Sequence, residues 1–362
     1  MSSLEVVAVD PAAEPGWDGF VSDHPQATAY HLAAWVEILR SSYRFQPLCR
    51  VLRDEAGTVR GVLPLLLKRG PISGRQVHSL PVVPTGGPLA EDAAGARMLA
   101  RDACELARER RCALIIRSRL DSLADAHAGI DAYPRPPSWV LGLDGFDERE
   151  WLSSRRSNLR RSVNIAERSG LRFRESDSEE DLRRFYHLYL VTMRGHGKLP
   201  RLYRQLRLSR EALGPPGVFR LFVVEDESRM VAGGVFHAFG NTVELLYNAS
   251  DRRALKSRPN HLLYRRVMAW ARQHAYDKLD FGFAWPGTSL GAFKAQWGAE
   301  PLAEHGYCFA PEGSRARAGT GRPAPTEADP AIESDARLVE RAWAKAPLSA
   351  TRVAATLVYR YL

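Results

Sequence analysis

The residues best suited to chemistry lie in one segment, Asp280-Phe-Gly-Phe-Ala-Trp-Pro-Gly-Thr-Ser-Leu-Gly-Ala-Phe-Lys-Ala-Gln-Trp-Gly298. It is punctuated by glycine and ends in a lone lysine, Lys294, set among aromatics. Phe293 and Trp297 stand four residues apart, so on a helical turn they share a face and fix the backbone that aims the lysine. A cation in so apolar a setting suits a reaction in which a carbonyl oxygen becomes an anion, as happens when an acyl group passes to an amine. A positioned ammonium stabilises that oxygen by roughly several kcal/mol in a dry site. The plainer reading is a surface lysine on a short amphipathic helix whose aromatics belong to the core.

A second group, Arg194, His196 and Lys198, alternates with glycines in what reads as an exposed loop, an arrangement better suited to ligand contact than to packing. His196 can take a proton, because an imidazole titrates near neutrality. His237, on an apolar strand, reads as a core histidine. Tyr247-Asn248-Ala249-Ser250 ends a strand; its polar groups either touch a substrate or mark an ordinary exit into a loop. Arg155, Arg156, Arg160 and Arg161 concentrate charge on one side of a helix, and Arg168, Arg172 and Arg174 extend the run. Guanidinium groups match phosphate oxygens in pairs, so this stretch is either a groove for a polyanion or a solvated face.

These groups must be positioned by strands and helices whose order repeats. Residues 44–67 read as strand, acidic turn and strand, and residues 219–239 repeat the plan. Gly61 and Gly233-Gly234 fall inside the second strand of each hairpin, where glycine marks a bulge or the close approach of another chain. Each hairpin leads on to a helix and a strand. In the first half Leu99, Ala103, Leu106 and Ala107 line one helical face, followed by the strand Cys112–Arg117. In the second half Leu263, Val267, Trp270 and Ala271 line a helix over Pro259–Tyr276, followed by the strand Lys278–Phe281. Pro259 suits a first helical turn, where its missing N–H costs nothing. Between the halves lie the strand Trp139–Asp144, a helix over 146–169, and helices over Glu179–Thr192 and Leu202–Leu213. Two α/β domains of similar plan follow.

Three stretches resemble motifs of FemAB-like proteins, the aminoacyl- and acyltransferase branch of the GNAT superfamily. They are Trp151–Ala166, Thr192–Pro200, and Pro259–Gly298 with its Gly-x-x-x-Phe-Lys-x-x-Trp-Gly ending. The resemblance covers residues 135–310 and the first domain in outline. It implies an α/β fold of two tandem GNAT-like domains with mixed central sheets flanked by helices. The domains would span residues 1–137 and 138–310, followed by a flexible linker over 311–335 and a helical tail over 336–362. It implies Lys294 at the transfer centre, with His196 as a candidate proton acceptor. Arg156, Arg160, Arg161, Arg194, Lys198, Tyr247, Asn248, Asn260 and Trp297 become candidate substrate contacts.

The donor implied is an aminoacyl-tRNA, and the acceptor an amine in a cell-envelope precursor such as a peptidoglycan intermediate, or in a small metabolite; no cofactor or metal is called for. Acetyl-CoA-dependent relatives carry a glycine-rich loop that cradles pyrophosphate at a helix N-terminus. Here the corresponding residues are Leu255-Lys-Ser-Arg-Pro-Asn260, which lack the glycines. Acyl-CoA-dependent transfer linked to exopolysaccharide synthesis is therefore the alternative, and a non-catalytic RNA- or glycan-binding module is a third.

The bulk properties bound these readings. The 362 residues exceed an ordinary single domain, and 45% hydrophobic with 26% charged residues can bury a sizeable core. Net charge is +9, from 51 Lys+Arg against 42 Asp+Glu, which favours a polyanionic partner or an anionic membrane face; an arginine-rich composition by itself would produce the same excess. Cys49, Cys104, Cys112 and Cys308 lack CxxC spacing, which points away from zinc and towards a reduced, cytoplasmic setting. No apolar run reaches the roughly 18 residues of a membrane span, and the N-terminus does not read as a signal peptide. HExxH, Walker and GxGxxG motifs are absent, which removes the commonest metalloprotease, NTPase and dinucleotide readings.

Overall fold

The computed structural model describes residues 3–70, 74–145, 147–227 and 229–312. All of the expected tail, and all of the expected linker past Glu312, lie outside the described residues. The chain forms two compact units. One runs to Arg135 and resumes at Ala303; the other spans Pro136–Leu302.

The first unit opens with β1 (Glu5–Ala8), α1 (Trp17–Asp23), α2 (Ala33–Tyr43) and β2 (Gln46–Pro47). β3 (Arg50–Arg53) and β4 (Val59–Leu63) make the expected hairpin. Its turn is closed by the Asp54 carboxylate, which accepts from the N–H groups of Ala56 and Thr58. β5 (Leu66–Gly70) and β6 (Gly74–His78) form a second antiparallel pair, and β7 (Leu89–Ala90) returns beside β4. α3 (Ala93–Glu109) is capped by Asp92, whose carboxylate accepts from Gly95 N at 2.7 Å, and it buries Leu99, Ala103, Leu106 and Ala107 as the periodicity requires. β8 (Ala113–Ser118) then pairs parallel to β6, and β9 (Ile130–Pro134) follows. The expected close approach at Gly61 is present: a Cβ there would stand 2.9 Å from the carbonyl oxygen of Leu89.

The second unit contains β10 (Ser138–Gly142), α4 (Glu148–Ser154), α5 (Ser157–Arg168), β11 (Arg172–Ser176), α6 (Glu179–Gly195) and α7 (Tyr203–Leu213). The hairpin β12 (Phe219–Asp226) and β13 (Arg229–Phe239) is continued by β14 (Thr242–Ser250). α8 (Pro259–Gln273), β15 (Lys278–Phe283), α9 (Ser289–Gln296) and β16 (Glu300–Leu302) complete it. Its seven-stranded sheet runs β11-β12-β13-β14-β15-β10-β16, with one parallel pair, β14 and β15, joined through α8. α5 and α8 pack over a core that includes Phe222, Phe236, Phe281 and Trp297.

Three features depart from the sequence reading. The helix expected over 146–169 is two helices, with Arg155 and Arg156 extended between them. Ser153 and Ser154 donate their hydroxyls to the carbonyls of Glu150 and Trp151, the local competition by which serine interrupts a helix. The hairpin expected over 44–67 does not stay in one sheet: β4 belongs to β1-β3-β4-β7, and after Leu63 the chain crosses through Pro64 and Leu65 to a second. Finally β17 (His305–Phe309), placed by sequence in the second domain, lies between β8 and β9, so that the larger sheet runs β2-β5-β6-β8-β17-β9. Tyr307, 1% exposed, anchors it in the α3 core. Among the described residues no helix is long and apolar enough to cross a membrane, and no cluster of His, Cys, Asp and Glu could hold a metal. The four cysteines are unbridged.

Candidate active site

The site begins where β14 and β15 separate. They pair only through Thr242–Lys278, Val243–Leu279 and Glu244–Asp280. Beyond Glu244, β14 carries a bulge: Leu245 and Tyr247 oppose Phe236 and Val235, leaving Leu246 unopposed. A bulge bends its strand, so the two parallel strands splay and leave room between them. At that point Gly282 takes φ +77, a conformation that penalises a side chain. A Cβ on Gly282 would stand 3.4 Å from the carbonyl oxygen of Leu245 and 3.9 Å from Lys294 Nζ. The glycine thus leaves a small gap, the place a Cβ would fill, at ordinary contact distance from a carbonyl and an ammonium.

Lys294 reaches the gap from α9, whose first turn is capped by Thr288 Oγ1 accepting from Gly291 N at 3.1 Å. The glycine-punctuated segment therefore contains a helix. Phe293 and Trp297 do share a face, in an edge-to-face contact at 6.2 Å. Lys294 is 5% exposed and donates to the Phe283 carbonyl at 2.9 Å. Burial lowers its pKa to about 8, opposed by the negative charge of Asp280. An ammonium with one of three N–H groups spent on a backbone carbonyl retains donors for a ligand.

Asp280 was not singled out from the sequence, and neither was Glu244. Strand register places His237 opposite Glu244 and Glu244 opposite Asp280, a polar row across β13, β14 and β15. All three are buried, at 1%, 5% and 1% exposed. The available signal is an acid flanked by apolar residues, Val243-Glu244-Leu245 and Leu279-Asp280-Phe281. His237 is a core residue as expected, its pKa pushed down to about 3 by burial.

A cavity of about 1240 Å³ opens beside this region, between the end of α6, the ends of β13 and β14, and the start of α8. Phe293 and Leu290 carry α9 to its wall, and Arg194, His196, Asn248 and Asn260 line it, so four of the sequence candidates meet there. Its charge comes mainly from residues the sequence reading passed over, Arg184, Arg229, Arg252 and Arg253, with Asp251 the one carboxylate on its lining. Arg194 stands in the last turn of α6 rather than in a loop, and His196 caps that helix. His196 is exposed, and its pKa is lowered by partial loss of hydration and by the charges of Lys198 and Arg252, which leaves a neutral imidazole near pH 7. Asn260 donates to Ser250 Oγ and accepts from Asn248 Nδ2, tying the end of β14 to the first turn of α8.

The remaining candidates lie elsewhere. Arg156, Arg160 and Arg161 are exposed around the start of α5 and Lys198 is exposed past α6; none lines the cavity. Tyr247 turns to the other side of β14, where its hydroxyl accepts from Gln205. Trp297 is fully buried and corrects the expectation of a ligand contact: it is a core residue that fixes α9.

Residues 153–293 match the profile of the acetyltransferase (GNAT) domain family. No curated protein sequence is significantly similar to the chain. Among solved structures, FemX aligns over 83% of this chain and 96% of its own, at 19% identity and TM-score 0.62. The C-terminal domain of a putative lysylphosphatidylglycerol synthetase from Agrobacterium fabrum aligns over 83% and 92%, at 14% identity and TM-score 0.57. A tandem GNAT protein from the clavulanic acid biosynthesis pathway aligns over 84% and 98%, at 16% identity and TM-score 0.50. The chain therefore carries a GNAT acyltransferase domain on a tandem, FemX-like fold, as its sequence motifs led one to expect.

Proposed function

We propose that this GNAT-domain acyltransferase moves an aminoacyl group from an aminoacyl-tRNA to an amine on a cell-envelope precursor or small metabolite. The observation that carries the reading is the burial of Lys294 at the splay of β14 and β15, with its ammonium beside the gap kept by Gly282. In such a transfer the acceptor amine attacks the ester carbonyl and forms the C–N bond. The carbonyl oxygen becomes an anion that Lys294 and its remaining N–H donors stabilise. The intermediate collapses by breaking the C–O bond; the ribose oxygen leaves and gains a proton as the amine loses one, so the step is balanced. Asp280 keeps the ammonium charged against the cost of burial.

The arginine-lined cavity supports a phosphate-bearing ligand, since guanidinium groups bind phosphate oxygens in pairs. The residues that replace the usual glycine-rich loop are folded as a short 3₁₀ helix over Arg252–Ser257, followed by Arg258 in the left-handed conformation. That arrangement supports a donor other than coenzyme A. FemX and the domain of the putative lysylphosphatidylglycerol synthetase share the fold, and the second name joins a lysyl group to phosphatidylglycerol. Contact with an anionic membrane face fits the same acceptor class.

The second reading, transfer from an acyl-CoA, is favoured by the size of the cavity beside the N-terminus of α8. One assay separates the two: purified chain with charged tRNA or with acyl-CoA, and a panel of amines. Amide formation from charged tRNA alone supports the first. Product from acyl-CoA alone supports the second, and saturable RNA binding without any turnover defeats both.

A further inference from the structure

We infer that the first unit binds an oxyanion, the phosphoryl or carboxylate group of a ligand, on the face of its larger sheet turned away from α3, through Lys68, Gln76, His78 and Arg117. Sheet register brings these four side chains to one face. Lys68 on β5 lies opposite Gln76 on β6, and His78 follows two residues along the same strand. β8 runs parallel to β6 with Ile115 opposite His78, so Arg117 is the next residue on that face. The other face of the same strands carries Leu67, Val77, Leu114 and Ile116, all in the α3 core. One side of this sheet is thus packed and apolar, and the other gathers cations and an amide.

The depth and pairing of the four groups favour a ligand over a solvated surface. Gln76 and His78 are 2% and 6% exposed, while Lys68 and Arg117 are half-buried. His78 Nε2 bonds Gln76 Oε1 at 3.0 Å, which commits the amide oxygen and leaves Gln76 Nε2 buried without a partner. A buried donor left unsatisfied is destabilising, and native folds avoid it unless the group has a use. Arg117 gives one N–H to the Val83 carbonyl at 2.7 Å, which fixes the guanidinium in place. The charges acting on His78 are those of Arg117 and Lys68, and on Lys68 that of Arg117. An oxyanion seated between Lys68 and Arg117 would meet both cations and accept from Gln76 Nε2 at once.

The test uses the full chain and a local readout, the imidazole NMR signals of His78, assigned by their loss in His78→Asn. Inorganic phosphate and acetate are titrated separately, without donor or acceptor, so the outcome is independent of the transferase reading. Saturable shifts are expected; a lower half-saturation for phosphate assigns a phosphoryl ligand, and for acetate a carboxylate. Lys68→Ala and Gln76→Leu should each raise the half-saturation point at least tenfold, and Lys68→Arg should recover most of it. The inference is overturned if neither anion shifts the His78 signals, or if both weakened variants, folded by circular dichroism, titrate like the parent chain.

Discussion

Lys294 Nζ donates to the Phe283 carbonyl at 2.9 Å, and so returns a charge from α9 to the strand that precedes it. That single bond aims the ammonium at the gap beside Gly282 and fixes the spacing between β15 and α9. The same burial that makes the charge costly makes it effective, because an ion in a low-dielectric setting interacts more strongly with a charge that develops nearby.

Transfer should therefore depend on Lys294 and on its proton. Lys294→Met is expected to lower the transfer rate by about 10²–10³-fold, the typical loss for one oxyanion donor. With a pKa near 8, the rate of the parent chain should fall as pH rises through about 8, and this limb should vanish in the residual rate of Lys294→Met. An unchanged rate in Lys294→Met would remove the assigned chemistry.

The same group predicts a stability trend. The folded pKa is depressed to about 8 from 10.5, so between those values the unfolded chain binds more protons and stability rises with pH. Denaturant midpoints measured from pH 7.5 to 10.5 should carry this contribution in the parent chain and lack it in Lys294→Met.

Gly282→Ala tests the gap itself. The left-handed backbone costs an alanine about 1–2 kcal/mol, and its methyl would occupy space beside Leu245 O and Lys294 Nζ. We expect a modest loss in thermal melting temperature and a much larger loss in kcat, with far-ultraviolet circular dichroism unchanged. Equal, small effects on both would show that the gap does not receive the reacting carbonyl.

Trp297 should behave as core rather than as a ligand contact. Trp297→Ala is expected to destabilise by about 3–5 kcal/mol, as large-to-small changes at fully buried rings do. Trp297→Phe should cost less, because the indole Nε1 has no partner to lose. A marked rise in KM without loss of stability in Trp297→Phe would restore a direct role in binding.

The exposed arginines around α5 offer the test of RNA as donor. Arg160→Glu with Arg161→Glu should weaken tRNA binding and flatten the dependence of log K on log salt by about one unit for each phosphate no longer neutralised. An unaltered slope would assign the run to a solvated face.

Much of this architecture was legible in the residues. The two hairpins with acidic turns, the apolar faces of α3 and α8, and Pro259 at a helix start are local signals, set by turn chemistry and by the 3.6-residue period; each is present, the first hairpin shorter than its signals placed it because the chain leaves its sheet after Leu63. The break after Ser154 is also written locally, in hydroxyls that take helix carbonyls, a signal weaker than the helical pattern that runs through 146–169. The contact of Phe293 with Trp297 followed from their spacing, whereas the fate of Trp297 as core did not, since periodicity cannot tell a ring facing ligand from one facing Phe281.

What the sequence determined by itself is the inventory: a lysine among aromatics, a polar loop after α6, repeated strand and helix order, and an excess of positive charge. Tertiary structure decided the relationships. The splay of β14 and β15, the polar row from His237 through Glu244 to Asp280, and the insertion of β17 beside β8 all arise from strand pairing between residues far apart in the chain. Pairing of that kind is fixed by register and burial across a sheet, and a one-residue slip would turn every side chain to the opposite face. The chemistry of single residues is local and can be read in order along the chain; which of them meet, as Arg194, His196, Asn248 and Asn260 do on one cavity, is a property of the folded sheet.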